Sequence, residues 1–342
     1  MPDLQLYSEK EEGKLEKIKN NAIVRKIGFN RIVLFFVLLL LYILFAILSP
    51  TFLSYSRILS ALNYAYFLGF LALGVTFVIG TGGIDFSIGP VMFAAALIAG
   101  QLLTKNEVAL PICLIVSIIV GLCFGVINGW LVSYRGLPSF ITSMAIMMLA
   151  KGVGSVFTKI QAISWPQSSQ PGGSYKNLVK LRLDSGFNLP TGLFILLIAS
   201  VICAIVLNKT RAGRYILCIG DNREATRLSG VDVKKWEMLA YVISGTLAGV
   251  AAIFYVGAYT TVLPGMGDTF NNEAIASCVM GGTSMSGGVA SIGGTLIGVM
   301  IVSLLQEGIL AMGFQKDYQY VLTGILVVIA VYADIRSKQR KN

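Results

Sequence analysis

From Ile32 to Ser49 the chain runs without a single charged side chain before it meets Pro50. A hydrocarbon core about 30 Å thick needs roughly 20 such residues in a helix, and a proline cannot continue that helix comfortably. Comparable stretches recur at about Leu59–Gly80, Ile88–Leu103, Ala109–Val132, Ser139–Phe157, Thr191–Leu207, Glu237–Gly257, Ser291–Leu310 and Tyr318–Ile335. A tenth, Glu273–Gly282, is too short to cross as one straight helix. The pattern predicts an all-α fold class: a polytopic membrane protein of about ten transmembrane helices, some of them broken, over residues 32–335. Composition agrees, since only 13% of the 342 residues are charged against roughly 25% in soluble domains. That is too little charge to cover a soluble protein of this length.

The polar segments set the orientation. Residues 1–31 form a polar tail of mixed charge with a helical pattern around Glu9–Lys19 and no small-residue cleavage site. Residues 158–190, with Pro166, Pro171, Gly172 and Gly173, are the longest insert between spans, and a basic loop covers 208–236. With the N-terminus inside, nineteen of the 27 Lys and Arg fall in residues 1–31, 133–138, 208–236 and 336–342, and seven fall outside. The remaining cation, Lys151, lies in a span and is expected to snorkel outward. The positive-inside rule therefore predicts two cytoplasmic termini, a cytoplasmic 208–236 loop and an extracytoplasmic 158–190 loop. Ten spans divide into two halves of five, and the odd number inverts one half relative to the other. Glycine-rich breaks at Gly80–Gly89 and Gly281–Gly288 occur once per half, at non-equivalent helix positions, as in some transporters with interrupted helices.

Several classes of chemistry lose their usual residues. The chain has no histidine, and its five cysteines show no CxxC spacing, which weakens metal and acid–base catalysis. The net charge of +10 sits at span ends rather than on a nucleic-acid face. No GxxxxGK[ST] loop occurs, so no nucleotide site of that kind is present. Asp85, Lys151, Glu237, Glu273 and Glu307 are scattered, mostly near span ends, and form no evident proton relay.

Three places remain. Gly80–Pro90 reads as a break followed by a helix N-terminus, with Asp85 or Ser87 as cap or as lining of a pathway. Gly281-Gly282-Thr283-Ser284-Met285-Ser286-Gly287-Gly288 can expose amides and hydroxyls to a polar solute or let helices approach closely. The basic loop holds a short helix starting at Asp221 or Asn222 and stopping at Gly230, with Ala225 and Leu228 as a small apolar face suited to a soluble partner. Gly121, Gly125 and Gly129, Gly245 with Gly249, and Gly294 with Gly298 are expected packing faces.

These motifs together resemble a known family. Gly83-Ile84-Asp85-Phe86-Ser87-Ile88-Gly89 resembles the G-x-D-L-S-x-G signature of permease subunits of bacterial ABC importers for monosaccharides, the group of the ribose and galactose permeases. Gly213–Gly230 resembles that family's cytoplasmic loop, Glu273-Ala274-Ile275-Ala276 its D-A-I-A element, and Gly281–Gly288 its G-G-T-S-x-S-G-G run. The resemblance implies a permease in the bacterial cytoplasmic (inner) membrane and no enzyme. Its partners would be a cytoplasmic ABC ATPase that binds the ATP, an extracytoplasmic sugar-binding protein and a second permease subunit, identical or different. No cofactor is expected in this chain, and the lipid bilayer, not nucleic acid, is its other partner.

On the same basis Arg214, Gly220, Asn222, Glu224, Ala225, Arg227, Leu228 and Gly230 would couple to the ATPase. Gly83, Asp85, Ser87, Glu273, Ser284 and Ser286 would lie on or near the translocation path. The alternative is a stand-alone secondary transporter or facilitator of a small polar solute.

Overall fold

A computed structural model describes residues 29–183, 188–315 and 317–339; the expected tail helix at Glu9–Lys19 and residues 340–342 lie outside these. Among the described residues each apolar stretch forms a helix. The first six are α1 (Phe29–Leu48), α2 (Tyr55–Gly80), α3 (Ile88–Lys105), α4 (Leu110–Ser133), α5 (Ser139–Phe157) and α6 (Thr191–Lys209). Two short helices follow, α7 (Arg211–Asp221) and α8 (Arg223–Leu228), and then α9 (Val233–Tyr259), α10 (Asp268–Met280), α11 (Ile292–Ala311) and α12 (Asp317–Gln339). Seven of these, α2 to α6, α9 and α11, are long and apolar enough to cross a membrane. The protein is an all-α polytopic membrane protein. With 13 residues, α10 is about 20 Å long, short of the roughly 30 Å core, as its sequence predicts.

The basic loop is mostly helical, which the sequence reading missed. In α7, Gly213, Ile216 and Ile219 are buried at a spacing of three while Arg211 and Arg214 stay exposed, the pattern of a helix laid along an apolar surface. Asp232 caps α9 by accepting from Lys235 N at 3.2 Å, so that helix begins before the expected Glu237.

Glycines set the closest helix contacts. A Cβ on Gly245 would lie 2.4 Å from Gly121 O, and one on Gly249 2.6 Å from Ser117 O, so α4 and α9 meet backbone to backbone. Ser117 Oγ donates to Gly249 O at 2.9 Å across the same seam. Gly294 and Gly298 serve α11 against α10 in the same way. These are the packing faces expected of small residues in lipid, where close backbone approach replaces the hydrophobic drive.

The two halves pack in corresponding pairs. α2 lies on α11 as α9 lies on α4; α3 lies on α4 and α5 as α10 lies on α11 and α12; and α2 and α9 pack on each other. The outer helices break the correspondence, since α1 packs on α11 whereas α6 packs chiefly on α2 and α7.

The 158–190 insert is pinned rather than loose. Its strand β1 (Ile163–Ser164) precedes a two-stranded turn of β2 (Leu181–Arg182) and β3 (Asn188–Leu189), and β1 pairs antiparallel with β4 (Thr261–Val262) between α9 and α10. The buried Trp165 donates its Nε1–H to Ala96 O of α3 at 3.1 Å.

Gly245→Ala must force α4 and α9 apart, whereas a Cβ on Gly152 meets nothing within 4 Å. The expected cost of the first is about 1–3 kcal/mol. Melting in detergent should fall for Gly245→Ala and stay at the parent value for Gly152→Ala.

Candidate functional site

The segment after α2 turns back into the protein. Gly82 adopts φ +80°, a left-handed turn open to glycine, and the chain runs extended to α3. Asp85 is buried and accepts four hydrogen bonds: from Ser87 N (3.0 Å), Ser87 Oγ (2.6 Å), Asn128 Nδ2 of α4 (3.2 Å) and Ser244 Oγ of α9 (3.0 Å). Ser244 lies eleven residues beyond the start of α9, about 16 Å along its axis. So α3 begins inside the bundle, and Asp85 is the anchor that holds its entry.

The cap of α3 comes from the other half of the chain. Asn271, in the first turns of α10, accepts from Gly89 N at 2.7 Å and donates to Phe86 O at 2.5 Å. A Cβ on Gly89 would lie 2.1 Å from Gly267 O, so the N-termini of α3 and α10 touch. The counterpart of residues 81–87 is therefore 260–267, between α9 and α10. The pair Gly80–Gly89 and Gly281–Gly288, chosen from composition, are not counterparts. Pro264, Gly265 and Gly267 were the signal for the true one.

Glu273 belongs to a separate polar seam. It is buried, accepts from Tyr64 OH of α2, and accepts from Gln319 Nε2 of α12 at 3.2 Å. Nearby, Glu307 pairs with Arg57 at 3.5 Å. Gln319 Oε1, Gln306 Oε1 and Thr323 Oγ1 are buried without a hydrogen-bond partner among the described residues. Aromatic rings wall this seam: Phe67 meets Tyr64, Tyr255, Tyr259 and Phe270 at centroid distances of 5.0, 5.3, 5.9 and 5.2 Å. Rings beside open acceptors suit a solute with an apolar face and a rim of hydroxyls. Sequence reasoning found Glu273 but not Tyr64, Gln306 or Gln319, which are unremarkable until three helices converge. Lys151, expected to snorkel outward, pairs at the start of α10 with Asp268, whose side chain is half exposed.

Gly83 lines a cleft of about 380 Å³ with Thr81, Ser139, Arg223 and Glu237. Ser284 and Ser286 lie in the α10–α11 turn, Ser286 exposed and Ser284 buried, where Gly287 N donates to Ser284 O at 3.0 Å. The structure thus brings Gly83, Asp85 and Ser87 together, sets Ser286 beside Gly82, and puts Glu273 elsewhere.

The short helix α8 is built as its sequence predicts. Asn222 Oδ1 accepts from Ala225 N at 2.9 Å, and Gly230 takes φ +81° just past the end. Glu224, Ala225, Arg227 and Leu228 are exposed, Leu228 to 75%. Arg227 hydrogen-bonds Glu224 and holds its carboxyl below the usual carboxylate range. Arg214 instead donates to Lys209 O at 3.3 Å and closes the end of α6. Gly220 packs against two backbones: its Cβ would lie 2.1 Å from Gly80 O and 2.5 Å from Gly288 N.

A family model described as "Branched-chain amino acid transport system / permease component" matches residues 57–331. The chain belongs to this permease family. It is 33% identical over 322 residues to a ribose import permease protein of Bacillus subtilis, covering 93% of this chain and 95% of that one. Its counterpart in Escherichia coli K12 is 30% identical over 299 residues, or 87% and 91% of the two chains. A galactose/methyl galactoside import permease protein of Salmonella typhimurium is 31% identical over 319 residues, or 90% and 95%. No solved structure matches.

Asn271→Ala would strand Gly89 N and Phe86 O inside the bundle, a cost of about 1–3 kcal/mol per unpaired group. Its melting temperature in detergent should fall below that of Asn272→Ala, whose parent side chain is exposed.

Proposed function

We propose that this chain is the membrane-spanning subunit of an ATP-binding-cassette importer that admits a monosaccharide, with its basic end and both termini in the cytoplasm. The observation that carries this reading is α8, a capped helix offering Glu224, Ala225, Arg227 and Leu228 to solvent at the basic end of a membrane bundle. A partner ATPase docks on that face. An extracytoplasmic binding protein delivers sugar at the opposite end, next to the pinned 158–190 insert, and a second permease subunit completes the path. The ribose and galactose permeases among the relatives support the sugar class.

The solute passes along the seam of Glu273, Gln306 and Gln319, where the open Oε1 atoms of the two glutamines meet ring hydroxyls and the aromatic wall meets C–H faces. Asp85 and Ser87 support the path from behind, by holding α3.

Proteoliposomes carrying this chain with its ATPase and binding protein should take up labelled ribose or galactose only with ATP. Uptake by the chain alone down a gradient would overturn the importer reading, and competition by leucine or isoleucine would overturn the sugar class. Leu228→Glu should release the ATPase from the purified complex without lowering the amount of membrane-inserted permease. Glu273→Gln should cut uptake at least tenfold while the ATPase still co-purifies.

A further inference from the structure

α8 touches the bundle at few points, and they are specific. It packs chiefly on α7 and α9. Thr226 bonds back to Cys218 O at 2.9 Å, which ties α8 to α7. Among the described residues, its one ion pair to a spanning helix runs from Arg223 to Glu237 of α9, through two parallel hydrogen bonds, one of them Nη2 to Oε2 at 2.9 Å. The Glu237 side chain is 8% exposed and that of Arg223 52%, so the pair reaches from the surface into the protein. A fork-shaped guanidinium fixes direction as well as distance.

Glu237 begins a polar stripe on α9. Tyr241 and Ser244 follow at four and seven residues, on the same helix face. The Tyr241 hydroxyl lies 2.6 Å from where a Cβ on Gly83 would sit, and Ser244 holds Asp85. The cleft of about 380 Å³ between Arg223, Glu237 and residues 81–83 leaves these parts room to shift. On its other side the elbow between α7 and α8 rests on both glycine breaks, through Gly220 against Gly80 and Gly288, and Gly288 N donates to Gly80 O at 3.1 Å.

We infer that Arg223 and Glu237 are positioning residues that carry movement of α8 along the Glu237–Tyr241–Ser244 face to Asp85, and so reset the entry of α3. The inference rests on the docking role of α8 proposed above. The chemistry the pair must supply is only geometric: it has to keep α8 and α9 moving as one.

The full complex of permease, ATPase and binding protein in proteoliposomes tests this, with three readouts: ATPase co-purification, ATP turnover and sugar uptake. Glu237→Gln should keep the ATPase bound and hydrolysing, yet lower sugar taken up per ATP at least tenfold. Arg223→Lys, which keeps the charge but not the fork, should fall between. The double exchange Arg223→Glu with Glu237→Arg should recover at least half of the parent ratio. A parent-like ratio in Glu237→Gln would overturn the inference, as would an assembled double exchange that recovers nothing. Failure of the docking role reads out differently, as ATPase binding that is insensitive to Leu228→Glu.

Discussion

Extended backbone inside a bilayer is tolerated only when every N–H and C=O finds a partner, since each stranded group costs several kcal/mol. Residues 81–87 are held through side chains from four other helices. Asn128 and Ser244 bind Asp85, which in turn binds Ser87, and Asn271 serves both Phe86 O and Gly89 N. Ser139 at the start of α5 accepts from Ile84 N at 3.3 Å. Remove this set and α3 has no reason to begin where it does. The contact of α3 with α10, and through it the arrangement of both halves, would then be lost.

The same constraint explains where glycine is indispensable. Two helix N-termini can meet only if neither carries a side chain at the contact, and Gly89 and Gly267 are those residues. Gly267 also takes φ +119°, so it supplies a turn and a close approach at once. The correspondence between the halves is therefore a packing solution: each re-entrant segment lies against the start of the other half's helix, Gly267 against Gly89 and Phe86 O against Asn271. It holds for the four inner helices of each half and lapses at α1 and α6, which pack on different partners.

Much of this was legible in the sequence, and the parts that were not share a cause. Spans, the short helix α10, the α8 cap at Asn222 and the stop at Gly230 follow from local rules of length, hydropathy and capping, so the sequence predicts them. Asp85 was recognisable as a cap, but its partners Asn128 and Ser244 sit in apolar runs where one polar residue carries no signal by itself. The seam of Tyr64, Gln306 and Gln319 is hidden for the same reason. α7 escaped because its cations dominate the composition of 208–236, while the three-residue spacing of Gly213, Ile216 and Ile219 that makes it amphipathic is easily overlooked. The partner of Lys151 was hidden too, because an aspartate 117 positions away leaves no local signal.

The elbow shows why position, not interaction strength, decides which contacts transmit movement. Glu224 and Arg227 form a good ion pair on α8, but both are about two-thirds exposed, and such pairs are worth little and move with the helix that carries them. Arg223–Glu237 has similar chemistry yet spans two helices, with its carboxylate end buried. Beside it, Gly220, Gly80 and Gly288 touch through backbone atoms. A contact between backbones has no rotamer to absorb a shift, so displacement of α7 must displace both breaks. An ion pair that pulls on α9 and a glycine seat that pushes on α2 together leave α8 no way to move without moving the segment anchored by Asp85.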